Sequence, residues 1–252
     1  MQRDDFERFL NALLKPESIK DYCPNGLQIQ GANVINKVVT GVSATQALID
    51  RAISENANTI IVHHGYFWKN ESAVIRGMKH ARIKAILEHD INLFAYHLPL
   101  DVHPELGNNA QLATLFGINN VEPLEVGNLL SVAVKGEFDQ AQSAADVEHL
   151  IETTLTRKCL HIAPESNKPI KTVAWCSGGG QGYIELAAEQ GIDAFISGEV
   201  SEQTTHVARE MDIHFFAAGH HATERYGAKA LGEYIQQELG IATTFVDIDN
   251  PV

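Results

Sequence analysis

Three apolar stretches of this chain end in histidine. Thr59-Ile60-Ile61-Val62 runs into His63, His64 and Gly65. Ile91-Asn92-Leu93-Phe94-Ala95-Tyr96 runs into His97, with Asp101 four residues on. Ile213-His214-Phe215-Phe216-Ala217-Ala218-Gly219 runs into His220 and His221, and Glu224 lies four residues after His220. A β-branched or aromatic run of this length reads as a buried strand, and ligands in open α/β sheets gather outside the carboxyl ends of strands. Imidazoles with carboxylates are the donor set of zinc, iron or manganese sites that perform hydrolysis. Neighbouring residues on a regular strand point to opposite sides, so His63 and His64 each serve a different ion if the strand ends there, and Gly65 permits such a break. The pattern predicts two divalent ions, with Asp101 and Glu224 as the carboxylates able to bridge them.

Pro99 lies between His97 and Asp101, so a loop over 99–107 must fold Asp101 back. Ala222-Thr223-Glu224-Arg225 looks like a helix start, and there His220 and Glu224 can share one face. His221, His103 and His80 have less support as ligands, and His206 and His214 read as structural. Glu199 ends a fourth strand and is the one weak candidate for a catalytic or substrate-facing carboxylate. Tyr66, Phe67 and Trp68 beside His64 either stack a ring or cover the site. Gly178–Gly182 reads as a tight strand-to-helix turn or a phosphate contact through backbone N–H groups; it lacks the Lys-Ser/Thr of a P-loop. Cys176 has no base placed beside it.

The elements that position these residues alternate along the chain. An amphipathic helix spans 4–14, with Phe6, Phe9, Leu10, Leu13 and Leu14 on one face, and Pro16 closes it. Asp21-Tyr22-Cys23-Pro24-Asn25-Gly26 is a turn, followed by an alternating strand at 27–30. Strands at 37–42, 59–64 and 91–97 alternate with helices at about 44–56 and 79–89, and a further helix spans about 108–116. In the second half, strands at 171–176, 193–199 and 213–218 alternate with helices at 183–190 and 203–210. The alternation is that of parallel α/β architecture. The segment beginning at Lys37 and the one beginning at Lys171 match strand for strand at an offset of about 134, which reads as an internal duplication. Between the halves, 128–137 is strand-like, 143–156 is an amphipathic helix and 160–162 a short strand. A last helix over about 223–239 leads to a strand at 243–248. The expectation is two interlinked, pseudo-repeated α/β units with mostly parallel sheets, the first formed by 1–124 with 219–252 and the second by 125–218, and a metal site at strand carboxyl ends between them.

Composition narrows the function classes. The 252 residues are 44% hydrophobic and carry a net charge of −13 with histidines neutral, which argues against a nucleic-acid partner. No apolar run reaches the length of a membrane span, and Met1-Gln2-Arg3-Asp4-Asp5-Phe6 lacks a signal-peptide core. The three cysteines, Cys23, Cys159 and Cys176, form no Cys-x-x-Cys, and their odd number fits a reducing cytoplasm.

Several motifs together carry a resemblance. PNGLQIQG at 24–31, TGVSATQALIDRA at 40–52, IIVHHGYFWK at 60–69, AYHLPLDVHPELGNNAQLA at 95–113, SGEVSEQ at 197–203 and AAGHHATERYG at 217–227 resemble the GTP cyclohydrolase 1 type 2 homolog family. The match spans nearly the whole chain outside about 120–165. The resemblance implies a dinuclear metal site with His63, His64, His97, Asp101, His220 and Glu224 as ligands, the same set the strand ends suggest. It also implies a toroidal homohexamer with its metal sites facing an internal cavity. The resulting expectation is a metal-dependent hydrolase acting on a nucleotide or phosphoester. The alternative is a non-catalytic, metal-stabilised ring that serves interaction or regulation, with a link to DNA.

Overall fold

A computed structural model describes residues 1–166 and 168–252. By its contacts the chain divides into two units, Met1–Gly107 with Gly227–Asp249, and Asn108–Tyr226 with Asn250–Val252.

The first unit opens with α1 (Arg3–Leu14), which buries Phe6, Leu10 and Leu14 at four-residue spacing. Asp4 and Asp5 favour its positive end, and Lys15 in the left-handed region stops it before Pro16. Then follow β1 (Gly26–Ile29), β2 (Lys37–Ser43), α2 (Gln46–Ser54), β3 (Thr59–His64), α3 (Gly77–Glu88), β4 (Asn92–Ala95) and the short α4 (Leu98–Asp101). The Thr45 side chain caps α2 by accepting the Leu48 N–H. The expected loop at 99–107 therefore begins as a helical turn, because Pro99 sits in the first turn, where its missing N–H costs nothing.

The second unit contains α5 (Asn108–Phe116), β5 (Asn119–Pro123), β6 (Val134–Gln142), α6 (Ala144–Leu155), β7 (Leu160–Ile162), β8 (Ile170–Cys176), α7 (Ile184–Glu189), β9 (Ala194–Ser197), α8 (Glu202–Glu210) and β10 (His214–Ala217). Helix α9 (His220–Leu239) starts there and continues into the first unit, where β11 (Ala242–Phe245) closes the series. Helix α9 begins three residues before the expected start, so His220 itself opens the helix. The strand expected at 128–137 lies at 134–142, and β5 is a strand the periodicity did not show. Leu112, Phe116 and Ile118 pack with Val147, Ile151 and Trp175, which is why α5 groups with the second unit.

The first sheet has the order β1-β4-β3-β2-β11, with only β1 antiparallel. The second has the order β5-β6-β8-β9-β10-β7. Its centre, β8-β9-β10, is parallel like β2-β3-β4, but β5, β6 and β7 pair antiparallel at its flanks. The expectation of mostly parallel sheets thus holds for the first sheet, and the second is mixed. Both parallel centres are buried on two faces. Val39, Ile60, Val62 and Leu93 join one cluster while Val38, Ile61 and Phe94 join another. Val173, Trp175, Ile196 and Phe216 likewise separate from Ala174, Phe195 and Phe215. Two-sided burial is why these strands read as continuous apolar runs rather than alternating ones. Among the described residues no helix is long and apolar enough to cross a membrane.

At the edge of the second sheet, β7 and β10 are joined by a pair of imidazoles. His214 Nε2 donates to the Lys168 carbonyl at 2.9 Å, so its Nδ1 accepts from His161 Nε2 at 3.0 Å. The His161 ring stacks on Phe216 at a centroid distance of 4.4 Å. Burial, joined by the neighbouring His214, pushes the His161 pKa from 6.5 down to about 4. The unfolded chain therefore binds a proton that the folded chain refuses, and stability falls as pH drops from about 6.5 toward about 4. Urea unfolding at about pH 7 and about pH 4 should show a fall smaller by about 1–2 kcal/mol in His161→Phe than in wild type. An equal fall in both proteins would assign the acid sensitivity elsewhere.

Candidate metal centre

In the first unit, β3 and β4 pair as far as Val62 and Ala95. His63, His64 and His97 follow, just beyond the paired ends. The ring centroids of His63 and His64 are 4.6 Å apart, those of His63 and His97 4.9 Å, and those of His64 and His97 5.7 Å. One ring nitrogen from each lies within 4.8 Å of the other two. Strand β3 stays paired with β2 through Ser43 and His64, yet both adjacent histidines reach this cluster.

The hydrogen bonds of these rings decide what their other nitrogens can do. His63 is fully buried, and its Nδ1 lies 3.1 Å from the Tyr96 carbonyl. A carbonyl only accepts, so the proton sits on Nδ1 and Nε2 carries the lone pair in the neutral ring. That Nε2 faces Asp101 Oδ1 at 3.6 Å. His97 Nδ1 donates to Asp21 at 2.7 Å, and His64 Nδ1 pairs with Ser43 Oγ at 3.0 Å. Metal-ligating histidines are held this way, with one nitrogen committed to a carbonyl, carboxylate or hydroxyl and the other turned to the ion.

Asp21 does more than orient His97. Its other oxygen accepts the Leu98 N–H at 2.9 Å and the Asn25 amide at 2.9 Å, while Asn25 Oδ1 accepts the His97 N–H at 2.7 Å. The turn at 21–26 thereby latches onto the start of α4 and fixes both His97 and Asp101. Burial works against the Asp21 carboxylate, but the hydrogen bonds from His97 and Asn25 outweigh it and hold its pKa down at about 2. Gly65 shapes the exit of β3: a Cβ there would meet the Gln28 side-chain oxygen at 2.2 Å. That oxygen accepts the Tyr66 N–H.

In the second unit the donors are His220 and Glu224 on the first turn of α9. His220 Nε2 is 3.2 Å from Glu224 Oε2, and its Nδ1 is 2.7 Å from Glu199 Oε1. Glu224 is buried, while the Glu199 side chain is 43% exposed. The hydrogen bond with Glu224 leads, against burial, in pushing the His220 pKa up to about 9, with Glu199 adding to it. The arrangement attracts a cation, whether a proton or a metal ion. Gly178, at φ +60°, makes room for it: a Cβ there would lie 2.1 Å from Glu224 Oε1 and 3.1 Å from His220 Nε2. Its N–H is held by Thr223 Oγ1 at 2.9 Å.

All six predicted ligands thus belong to compact groups, His63, His64, His97 and Asp101 in one unit and His220 and Glu224 in the other. Glu199 touches His220 rather than standing apart. Several other candidates have framework roles. The Tyr66 hydroxyl donates to the Ala44 carbonyl at 2.7 Å in the interior, so of the three aromatics only Phe67 and Trp68 remain toward solvent. The His103 ring accepts the Leu106 N–H at 3.0 Å. The glycines at 178–182 form the turn after β8, with Gly178 fitted against the His220–Glu224 pair. Asp21 and Ser43 were missed by the sequence reading. Their partners lie 76 and 21 residues away, and only the Asp-x-x-x-Asn spacing of the turn hinted at Asp21.

The donor set of imidazoles and buried carboxylates fits a divalent ion such as zinc, iron or manganese. Comparison with known proteins agrees with the fold. Residues 1–251 match the family described as Duf34/NIF3 (NGG1p interacting factor 3). A protein of Haemophilus influenzae is 57% identical over 251 residues, and one of Vibrio cholerae is 56% identical over 253. Both are named GTP cyclohydrolase 1 type 2 homolog, and each alignment covers 100% of both chains. A solved structure of a protein called ybgI, described as of unknown function, superposes with a TM-score of 0.94 at 50% identity and covers 100% of both chains. The chain belongs to the Duf34/NIF3 family.

Proposed function

We propose that this protein is a metal-dependent hydrolase whose six ligands, His63, His64, His97, Asp101, His220 and Glu224, hold two divalent ions per chain. The observation that carries the reading is the state of the histidines. His63, His97 and His220 each commit Nδ1 to a carbonyl or carboxylate, and His64 pairs Nδ1 with a hydroxyl. Four rings that each engage Nδ1 with a neighbouring group support a ligand set over a scatter of polar core residues. Zinc, iron or manganese is the expected metal. Divalent ions at such a site lower the pKa of water toward neutrality and polarise an electrophile.

The protein's own groups supply the rest. Asp21 and the Tyr96 carbonyl hold His97 and His63 in one tautomer and orientation, so no proton need leave Nε2 for either neutral ring to act as a ligand. Glu199 holds His220, and its partly exposed carboxylate can carry a proton between the site and solvent. The names of the relatives favour a nucleotide substrate, and a phosphoester remains compatible with the same chemistry. A toroidal homohexamer belongs to the reading; light scattering should then give six times the 27.6 kDa chain mass.

Metal analysis by mass spectrometry, on protein purified without chelator or nickel resin, tests the central claim. Wild type should carry about two ions per chain, the number a two-metal site requires. Glu224→Ala should lose at least one of them. No stoichiometric metal after reconstitution with zinc, manganese and iron would refute the proposal. Asp21→Asn should weaken metal binding about 10–100-fold with little change in far-UV circular dichroism. Unchanged affinity would remove Asp21 from the ligand framework. Gly178→Ala touches no ligand covalently, yet should lower metal occupancy by crowding Glu224; full occupancy would show that the turn yields.

A further inference from the structure

Two aromatic side chains flank His97 without being needed to hold it. The Tyr22 ring centroid is 6.3 Å from that of His97, and Trp68 meets His97 edge to face at 5.0 Å. Trp68 also lies 5.9 Å from His64. Tyr22 is 60% exposed, and Trp68 is half-buried. Neither is a loose surface ring. The Tyr22 carbonyl accepts the Lys69 N–H at 2.7 Å, and its N–H donates to Asp21 at 2.6 Å. This ties the turn carrying Tyr22 to the loop carrying Trp68. Glu71 accepts the N–H groups of Phe67 at 2.8 Å and of Trp68 at 3.2 Å. Between the two rings of that loop, Phe67 is held at φ +66°, a region that bulky residues avoid.

A hydrolytic site that gripped its substrate only by phosphate would call for cations and backbone amides. Here two rings, Tyr22 and Trp68, lie beside His97, braced at the backbone and turned partly to water. Strained backbone kept in place by several hydrogen bonds is a feature of ligand clamps. Aromatic faces of this kind bind planar heterocycles by stacking, whatever the base, because every base has a π-face.

We propose that Tyr22 and Trp68 form the subsite for a planar heteroaromatic ring, of the size of a purine base, placed beside His97. The proposal rests on the metal-centre reading above and deepens it by naming the substrate class. The two rings act as specificity-determining groups that select the base of the substrate.

The chain has two tryptophans, Trp68 and the fully buried Trp175, so emission excited at the red edge of indole absorption reports a ligand at Trp68. The test titrates metal-loaded wild type with guanosine, which has a base and no phosphate, and with ribose 5-phosphate, which has a phosphate and no base. Metal content is measured on the same samples. Guanosine should quench emission saturably and ribose 5-phosphate should not. Tyr22→Ala should weaken guanosine binding about tenfold at unchanged metal content, and Trp68→Leu should do so by isothermal calorimetry. Retained metal with no saturable guanosine binding would overturn the ring subsite and leave the metal centre standing. Equal binding of ribose 5-phosphate, or unchanged guanosine affinity in Tyr22→Ala, would overturn it as well. Absence of metal from wild type would overturn both readings.

Discussion

A neutral imidazole has one nitrogen that donates and one that accepts, and fixing one fixes the other. The candidate centre depends on that constraint. The Tyr96 carbonyl, the Asp21 carboxylate and the Glu199 carboxylate each demand a proton from Nδ1 of a histidine. The neutral rings of His63 and His97 are thereby presented with their lone pairs outward at Nε2, while His220 keeps its Nε2 against Glu224. Each accepting group comes from the backbone just past a strand or from a turn pinned to one. The parallel centres of the two sheets serve this end: they carry the polar residues to the carboxyl edge and bury everything before it.

Much of the site was legible because the sheets are buried on both faces. A run such as Thr59–Val62 has no alternation, so its sudden change to His63 and His64 stands out. The same contrast marks Phe94–Tyr96 before His97 and Phe215–Ala218 before His220. Helical spacing gave the His220–Glu224 pair, although the helix begins at His220 rather than at 223. What the pattern did not show were the partners of the rings. Asp21 looks like any turn aspartate, and Ser43 like any residue ending a strand. Their role comes from bonds closed across the fold, which local periodicity does not encode.

The fold was legible in the same uneven way. The repeated β-α-β units could be read from strand and helix periods. The stretch between the halves could not: β5 is exposed along nearly its whole length, β6 buries only Phe138, and both of their pairings carry register shifts. Such strands lack the continuous apolar signal of the parallel centre. The antiparallel flanks that make the second sheet mixed come from this segment and from the three-residue β7.

The interrupted course of the first unit has a consequence for how the chain is made. Its sheet is completed by β11, which pairs with β2 some two hundred residues earlier, at Ala242 with Lys37. The second unit is nearly all one contiguous stretch, 108–226. On a ribosome, where domains fold as units while synthesis proceeds, the second unit has its chain in hand first. The first waits with β2 exposed along one edge until the last strand arrives. During that interval the unpaired backbone edge of β2 is open to pairing with another chain, so the time taken to synthesise the chain from β2 to β11 sets how long the nascent protein is exposed to that error.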